Sequence, residues 1–232
     1  EIIAVSSGLR VELFLASQVN QITITGTDGR DKYALNNLNG TVNRIEINSK
    51  AGNDEINISA DATRPSLQSL LIRSGSGDDE IFIDTVVLGL STTEDYRVYA
   101  EAGADSITLM GANTAYSGIL LDGGSGSDVI YGNETGGEEH IVGGADADVI
   151  IAYGGNDLIE GGDSKDIIDA GSGDDTVYGG VGDDVIFGRA GNDTLYGGAD
   201  NDKLDGGDDD DTQHGDDDDD VLTGGLGTDT LY

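Results

Sequence analysis

The stretch AGSGDDTVYGGVGDDVIFGRAGNDTLYGG, residues 170–198, repeats one nine-residue phrase three times. Each copy carries a glycine, one residue, an aspartate, one residue and then an apolar residue. Glycine supplies the positive φ that a tight turn needs. The alternation after the aspartate describes a short strand with one inward side chain. One such unit cannot bury its apolar residue alone, but a stack of units can.

The phrase continues well beyond this stretch. From Gly143 to Tyr232 there are ten consecutive blocks of nine with no gap. The sixth position is always aspartate: Asp148, Asp157, Asp166, Asp175, Asp184, Asp193, Asp202, Asp211, Asp220 and Asp229. The eighth is aliphatic in every block except the one holding Gln213. A further block, GGSGSDVIY, covers 123–131, and GNETGGEEHIV, 132–142, is an eleven-residue version with Glu139 in the aspartate place. If two units make one coil, aspartates 18 residues apart lie on one side of the stack, about 4.8 Å from each other along its axis. Like charges at that spacing repel, so the stack calls for a cation between them. Oxygen-only donors, carboxylate and carbonyl, suit Ca²⁺.

Residues 123–232 resemble the repeats-in-toxin (RTX) family, the haemolysin-type calcium-binding nonapeptide repeat written GGxGxDxUx. The resemblance implies a parallel β-roll in which each ion is held by aspartates of two turns and by the loop carbonyls between them. Carried onto this chain, one ladder is Asp128, Asp148, Asp166, Asp184, Asp202 and Asp220. The other is Glu139, Asp157, Asp175, Asp193, Asp211 and Asp229. The resemblance also implies export by a type I secretion system and an extracellular or cell-surface setting on a bacterium. The sequence departs from the pattern at the fourth position, usually glycine, which is Asp146, Ser164, Asp200, Asp209 and Asp218. Strain is expected there, and a loosened roll is expected near Gln213, over 206–223.

Before residue 123 the glycine-x-aspartate turn recurs at longer steps, ending at Asp31, Asp54, Asp79 and Asp105 before it reaches Asp128. Alternating stretches such as RIEIN, EIFID and YRVYA flank these turns and read as strands with one buried face. The expected fold is therefore all-β, a parallel β-solenoid. A wider β-helix, about 1–131, continues into a calcium-bound β-roll, about 132–232. By turn type the chain divides into 1–122, with long coils and one Gly-x-Asp turn per coil, and the nonapeptide segment 123–232. The first ladder then runs from Asp31 to Asp220 and the second from Glu139. With nine gaps in one and five in the other, roughly 10 to 14 Ca²⁺ are expected.

Composition agrees with this reading. The 232 residues carry 46 acidic and 11 basic side chains, a formal charge of -35, with 38 glycines, one proline, and neither cysteine nor tryptophan. Such a charge repels nucleic acid and anionic membrane and favours cations. No apolar run is long enough to span a bilayer, and without cysteine there are no disulfides and no thiolate metal site. The chain starts at Glu1 with no Met or signal segment, as expected of a piece of something larger.

Other features have bland readings. In the run Asp216–Asp220 only Asp220 is expected on the ladder. His140 and His214 are expected to face solvent. Arg97, Arg189, Lys165 and Lys203 are too scattered for a basic groove. The tyrosines 131, 178, 196 and 232 are expected to pack across coils on the sheet surface, and Pro65 is expected to mark a loop. No carboxylate pair stands out as acid and base, so no enzyme activity is expected. The expected function is a calcium-binding structural or adhesive repeat that folds on ion binding outside the cell, with neighbouring copies or cell-surface polysaccharide as partners. The alternative is the repeat module of a secreted protease, lipase or polysaccharide epimerase or lyase.

Overall fold

The computed structural model describes residues 2–4, 10–12, 20–35, 42–59, 67–84, 95–111 and 117–232. Among these there are 23 strands and no helix, and hence no helix long and apolar enough to cross a membrane. The strands form two sheets, of twelve and eleven, and successive strands alternate between them. Every pairing is parallel and joins one coil to the next. Thr176–Val181 lies between Leu158–Asp163 and Thr194–Ala199, while Val185–Ala190, in the other sheet, lies between Ile167–Ser172 and Lys203–Asp208. This is the expected all-β parallel solenoid.

The core explains why the two halves read differently. In the first half each strand from Gln21–Thr25 to Ser117–Ser125 buries two large side chains: Ile45 and Ile47 in one sheet face Ile56 and Ile58 in the other. In the second half each strand from Val129–Tyr131 to Lys203–Asp208 buries one, such as Ile159, Ile168, Val177 or Ile186. Its second inward place is taken by glycine or alanine, as at Gly161 and Ala170. The sheets run through this change without a break, since Ser117–Ser125 pairs with Asp95–Tyr99 on one side and Glu138–Ala145 on the other. The first-half return connections 36–41, 60–66, 85–94 and 112–116, with Pro65 among them, lie outside the described residues, as does most of 1–19.

The turns have a fixed backbone. In each nonapeptide block the second and fourth residues have positive φ, as Gly162 (122°) and Ser164 (79°) do. The non-glycine fourth positions Asp146, Ser164, Asp200, Asp209 and Asp218 all adopt it, at 76–79°. Tyr153, Arg189 and Asp216 adopt it at the second position, which sequence reading does not single out. A side chain in this region costs roughly 1–2 kcal/mol, so the fold imposes the turn on residues that resist it.

The expected loosening around Gln213 is not found. Gln213 is fully buried in the strand Thr212–Asp216, in register with Leu195 and Leu231. Its Nε2 donates to the Thr223 carbonyl at 2.8 Å, which accounts for the continued winding, while its Oε1 has no partner. A buried unsatisfied polar atom costs roughly 1–3 kcal/mol. Gln213→Leu is therefore expected to raise the thermal midpoint of the folded chain, with a gain of about 1 kcal/mol in denaturant unfolding; a lowered midpoint would show that the amide stabilises the roll.

Candidate metal centre

The aspartate of each turn sits immediately before a strand and points inward at a corner between the sheets. One corner carries Asp31, Asp54, Asp79, Asp105, Asp128, Asp148, Asp166, Asp184, Asp202 and Asp220, each ahead of a strand of the eleven-stranded sheet. The other carries Asp157, Asp175, Asp193, Asp211 and Asp229, ahead of strands of the twelve-stranded sheet, with Glu139 heading the column. The structure thus brings every candidate ligand into the expected two ladders. All but Asp220 and Asp229 are at most 3% exposed.

Neighbouring rungs are bonded in one repeating way. The backbone N–H of each ladder residue donates to Oδ1 of the aspartate one coil further on. The distance is 2.7 Å from Asp54 to Asp79, 2.8 Å from Glu139 to Asp157 and 3.1 Å at the last rung, Asp211 to Asp229. Oδ2 is different. In Asp54, Asp79, Asp105, Asp128, Asp148, Asp166, Asp184 and Asp202 of one ladder, and Asp157, Asp175, Asp193 and Asp211 of the other, it is buried with no hydrogen-bond donor. Ser49 and Ser74 lie beside the Asp54 and Asp79 carboxyls, but their hydroxyls donate at 2.8 Å to the carbonyls of Ser74 and Ala100. They ease those two carboxylates without satisfying them.

The first position, glycine in every block except those beginning with Ala152 and Ala170, keeps room for that oxygen. A Cβ on Gly161 would lie 2.6 Å from Asp166 Oδ2 and 2.5 Å from the Gly179 carbonyl oxygen of the next coil. At Gly161 a side chain would push into the carboxylate. Buried, donorless carboxylate oxygens beside main-chain carbonyls are a donor set that fits a hard, oxygen-seeking cation such as Ca²⁺. Among the described residues no three His, Cys, Asp or Glu side chains converge. A site here therefore combines carboxylates with carbonyls, as the repeat pattern implies.

The second ladder begins where an apolar column ends. In the twelve-stranded sheet the register places Ile22, Ile45, Leu70 and Tyr96 one above another, and Ile119 aligns with Glu139. The same inward column is thus apolar in the first half and carboxylate in the second. Glu139 stands at the junction, bonded through its side chain to Asp157.

An outer ladder escapes sequence reading. At the fifth position Asp174 N–H donates to Asn156 Oδ1, Asn192 N–H to Asp174 Oδ1, Asp210 N–H to Asn192 Oδ1 and Thr228 N–H to Asp210 Oδ1, at 2.7–3.2 Å. These side chains reach forward along the axis to the N–H of the next coil, opposite in sense to the inner ones, which reach back. The alternation of Asn with Asp keeps like charges two coils apart. Its only sequence signal is that alternation at an 18-residue step.

The remaining side chains fall largely as expected. Asp216 to Asp219 are exposed and only Asp220 joins the ladder, accepting from Asp202 N–H at 2.9 Å. Tyr178, Tyr196, His214 and Tyr232 stack ring on ring, with centroids 4.5–4.8 Å apart, so their faces are covered by each other. Tyr131 belongs elsewhere, 6.4 Å from Tyr153. The histidines are half-buried rather than simply solvated, because His214 is held within the stack and His140 Nε2 lies 2.9 Å from Glu160. Arg97 pairs with Asp95 and Arg189 with Asp169, leaving both arginines with a local carboxylate.

Burial raises the inner carboxyls well above their ordinary range. Asp54, Asp148, Asp184 and Asp202 rise to about 6, Asp105, Asp128, Asp157, Asp166 and Asp193 to about 7, and Asp175 to about 8. Desolvation is the main cause. Nearby carboxylates add to it, and the N–H of the preceding rung opposes it. The ion-free fold therefore binds more protons than the unfolded chain, whose aspartates titrate near 3.9. Its stability is fully present below that value and is lost as pH rises through about 6 to 8. In chelator, the far-UV β signal is expected to be strongest near pH 4 and to fall on raising the pH to 8. A signal that grows with pH would contradict the ladder electrostatics.

No curated protein matches the chain. A family model described as the RTX calcium-binding nonapeptide repeat matches residues 120–134, 135–168, 142–177, 160–195, 178–213 and 196–231. These are the residues whose carboxylates form both ladders of the narrow half. From Leu120 to Leu231 the chain is a run of RTX calcium-binding nonapeptide repeats.

Proposed function

We propose that this chain is an extracellular, calcium-binding structural or adhesive segment of a bacterial secreted or cell-surface protein, folding into a rigid rod where calcium is plentiful. The observation that carries this is the row of buried Oδ2 atoms without a protein donor. The ladder carboxylates, with the turn carbonyls between them, are the ligands, and the gaps between rungs would take roughly 10 to 14 ions. Ca²⁺, when bound, would supply the positive charge that the protein does not offer there, coordinated by these carboxylate and carbonyl oxygens. The aspartates lock each coil to the next through Oδ1 and keep Oδ2 for the ligand role, while the first-position glycines hold that space open.

Sites of the extracellular class have Kd of about 10⁻⁴–10⁻³ M. At cytosolic calcium they stay empty, and mutual repulsion among the carboxylates of a chain charged -35 keeps it open. That state suits export by a type I secretion system. Outside, near millimolar calcium, the sites fill together because each rung braces the next. The ladder carboxyls repeat one environment, which favours a structural over a catalytic role. Neighbouring copies or cell-surface polysaccharide are the partners such a rod would present itself to.

Circular dichroism tests the reading: coil in chelator at pH 7.5 and β-structure on adding calcium. Asp166→Asn is expected to raise the calcium concentration at half-folding about tenfold, the equivalent of about 1.4 kcal/mol, while Asp217→Asn, on the exposed run, leaves it unchanged. Equal β-content with and without the ion at that pH would defeat the proposal.

A further inference from the structure

The turn ending at Asp31 looks like the others in sequence but is built differently. In the next turns along the column the residues four and two before the aspartate have positive φ: Lys50 and Gly52 before Asp54, Gly75 and Gly77 before Asp79, Glu101 and Gly103 before Asp105. The corresponding Thr27 and Gly29 do not. With that turn unwound, the Thr27 N–H reaches Asp31 Oδ2 at 2.9 Å and the Thr27 hydroxyl reaches it at 3.1 Å. A third donor, the Tyr33 hydroxyl, reaches the same oxygen at 3.1 Å.

Tyr33 is itself out of pattern. It occupies an inward column that continues below as Ile56, Ile81, Ile107 and Ile130. The phenol is 1% exposed, and a Cβ on Gly26 would collide with its hydroxyl. That hydroxyl therefore fills the space beside the carboxylate that lower turns leave to Oδ2. Burial and the Asp31 carboxylate push the phenol pKa upward, so it remains a donor at any physiological pH.

We infer that the first carboxylate column ends in a protein-built cap at Asp31, where the Thr27 amide, the Thr27 hydroxyl and the Tyr33 hydroxyl take the place of a cation, so that ion binding begins at Asp54. The cap rests on the calcium reading proposed above. It gives the column a terminus that holds its charge without metal. The three donors converge on the one oxygen that twelve other ladder aspartates leave without any.

Counting bound calcium on the full chain by native mass spectrometry, at saturating calcium, separates the two ideas. The wild type is expected to bind many ions, Asp31→Asn the same number, and Asp105→Asn at least one fewer. A loss of ions in Asp31→Asn overturns the cap and leaves the calcium reading intact. A wild type that binds none, or an Asp105→Asn that loses none, overturns both. If Asp31→Asn does not fold, Tyr33→Phe serves instead. A lower thermal midpoint in saturating calcium, with an ion count unchanged or higher, upholds the cap. An unchanged midpoint or a lower count overturns it.

Discussion

Everything in this rod depends on carboxylates buried one above another at strand spacing. Two unit charges about 4.8 Å apart repel by about 3.5 kcal/mol at an effective dielectric near 20. A buried aliphatic side chain contributes roughly 1.5–3 kcal/mol. A first-half coil such as the one holding Ile45, Ile47, Ile56 and Ile58 sets four such side chains against one rung, Asp54. A roll coil sets two, Ile159 and Ile168, against two rungs, Asp157 and Asp166. Apolar burial outweighs repulsion in the first case and falls short of it in the second. The sign of the electrostatic term, set by what neutralises Oδ2, decides whether the roll holds.

The hydrogen-bond pattern shows how far the chain goes toward solving this alone. Donation of each rung's N–H to the next Oδ1 satisfies one oxygen and opposes the rise in pKa. No second donor follows, because the first position holds glycine, alanine or a serine whose hydroxyl donates to a carbonyl, and the N–H groups of the left-handed glycines donate to carbonyls of the next coil. At Asp31 the chain supplies the second set of donors itself. The contrast marks the missing donor as a feature of the turn's winding, since the same Gly-x-Asp motif occurs in both arrangements.

Much of this was legible in the sequence because the period is rigid. The 18-residue step and the Gly-x-Asp turn together placed every ladder residue on its corner, including the widely spaced Asp54, Asp79 and Asp105. What stayed hidden depends on contacts between coils. GRD at 29–31 reads like GND at 52–54, and only the fold brings Tyr33 over Asp31. Gln213 looked like a fault until its amide met the Thr223 carbonyl. The left-handed Tyr153, Arg189 and Asp216 are invisible because sequence preference argues against that backbone and the stack overrules it. The Asn–Asp outer ladder carries little sequence signal because the fifth position also holds Ala147, Lys165 and Thr228.

A second carboxylate ladder can start only where the inward column no longer has to supply the core. Above Glu139 that column is Ile22, Ile45, Leu70, Tyr96 and Ile119, each fully or almost fully buried. Below it, glycine and alanine at the next inward position draw the sheets together, leaving space for one aliphatic per strand and turning the corner residue into a rung. Narrowing the coil and adding the ladder are therefore one structural event. Each coil that gives up two large apolar side chains acquires one more carboxylate, and with it a greater dependence on whatever cancels the charge.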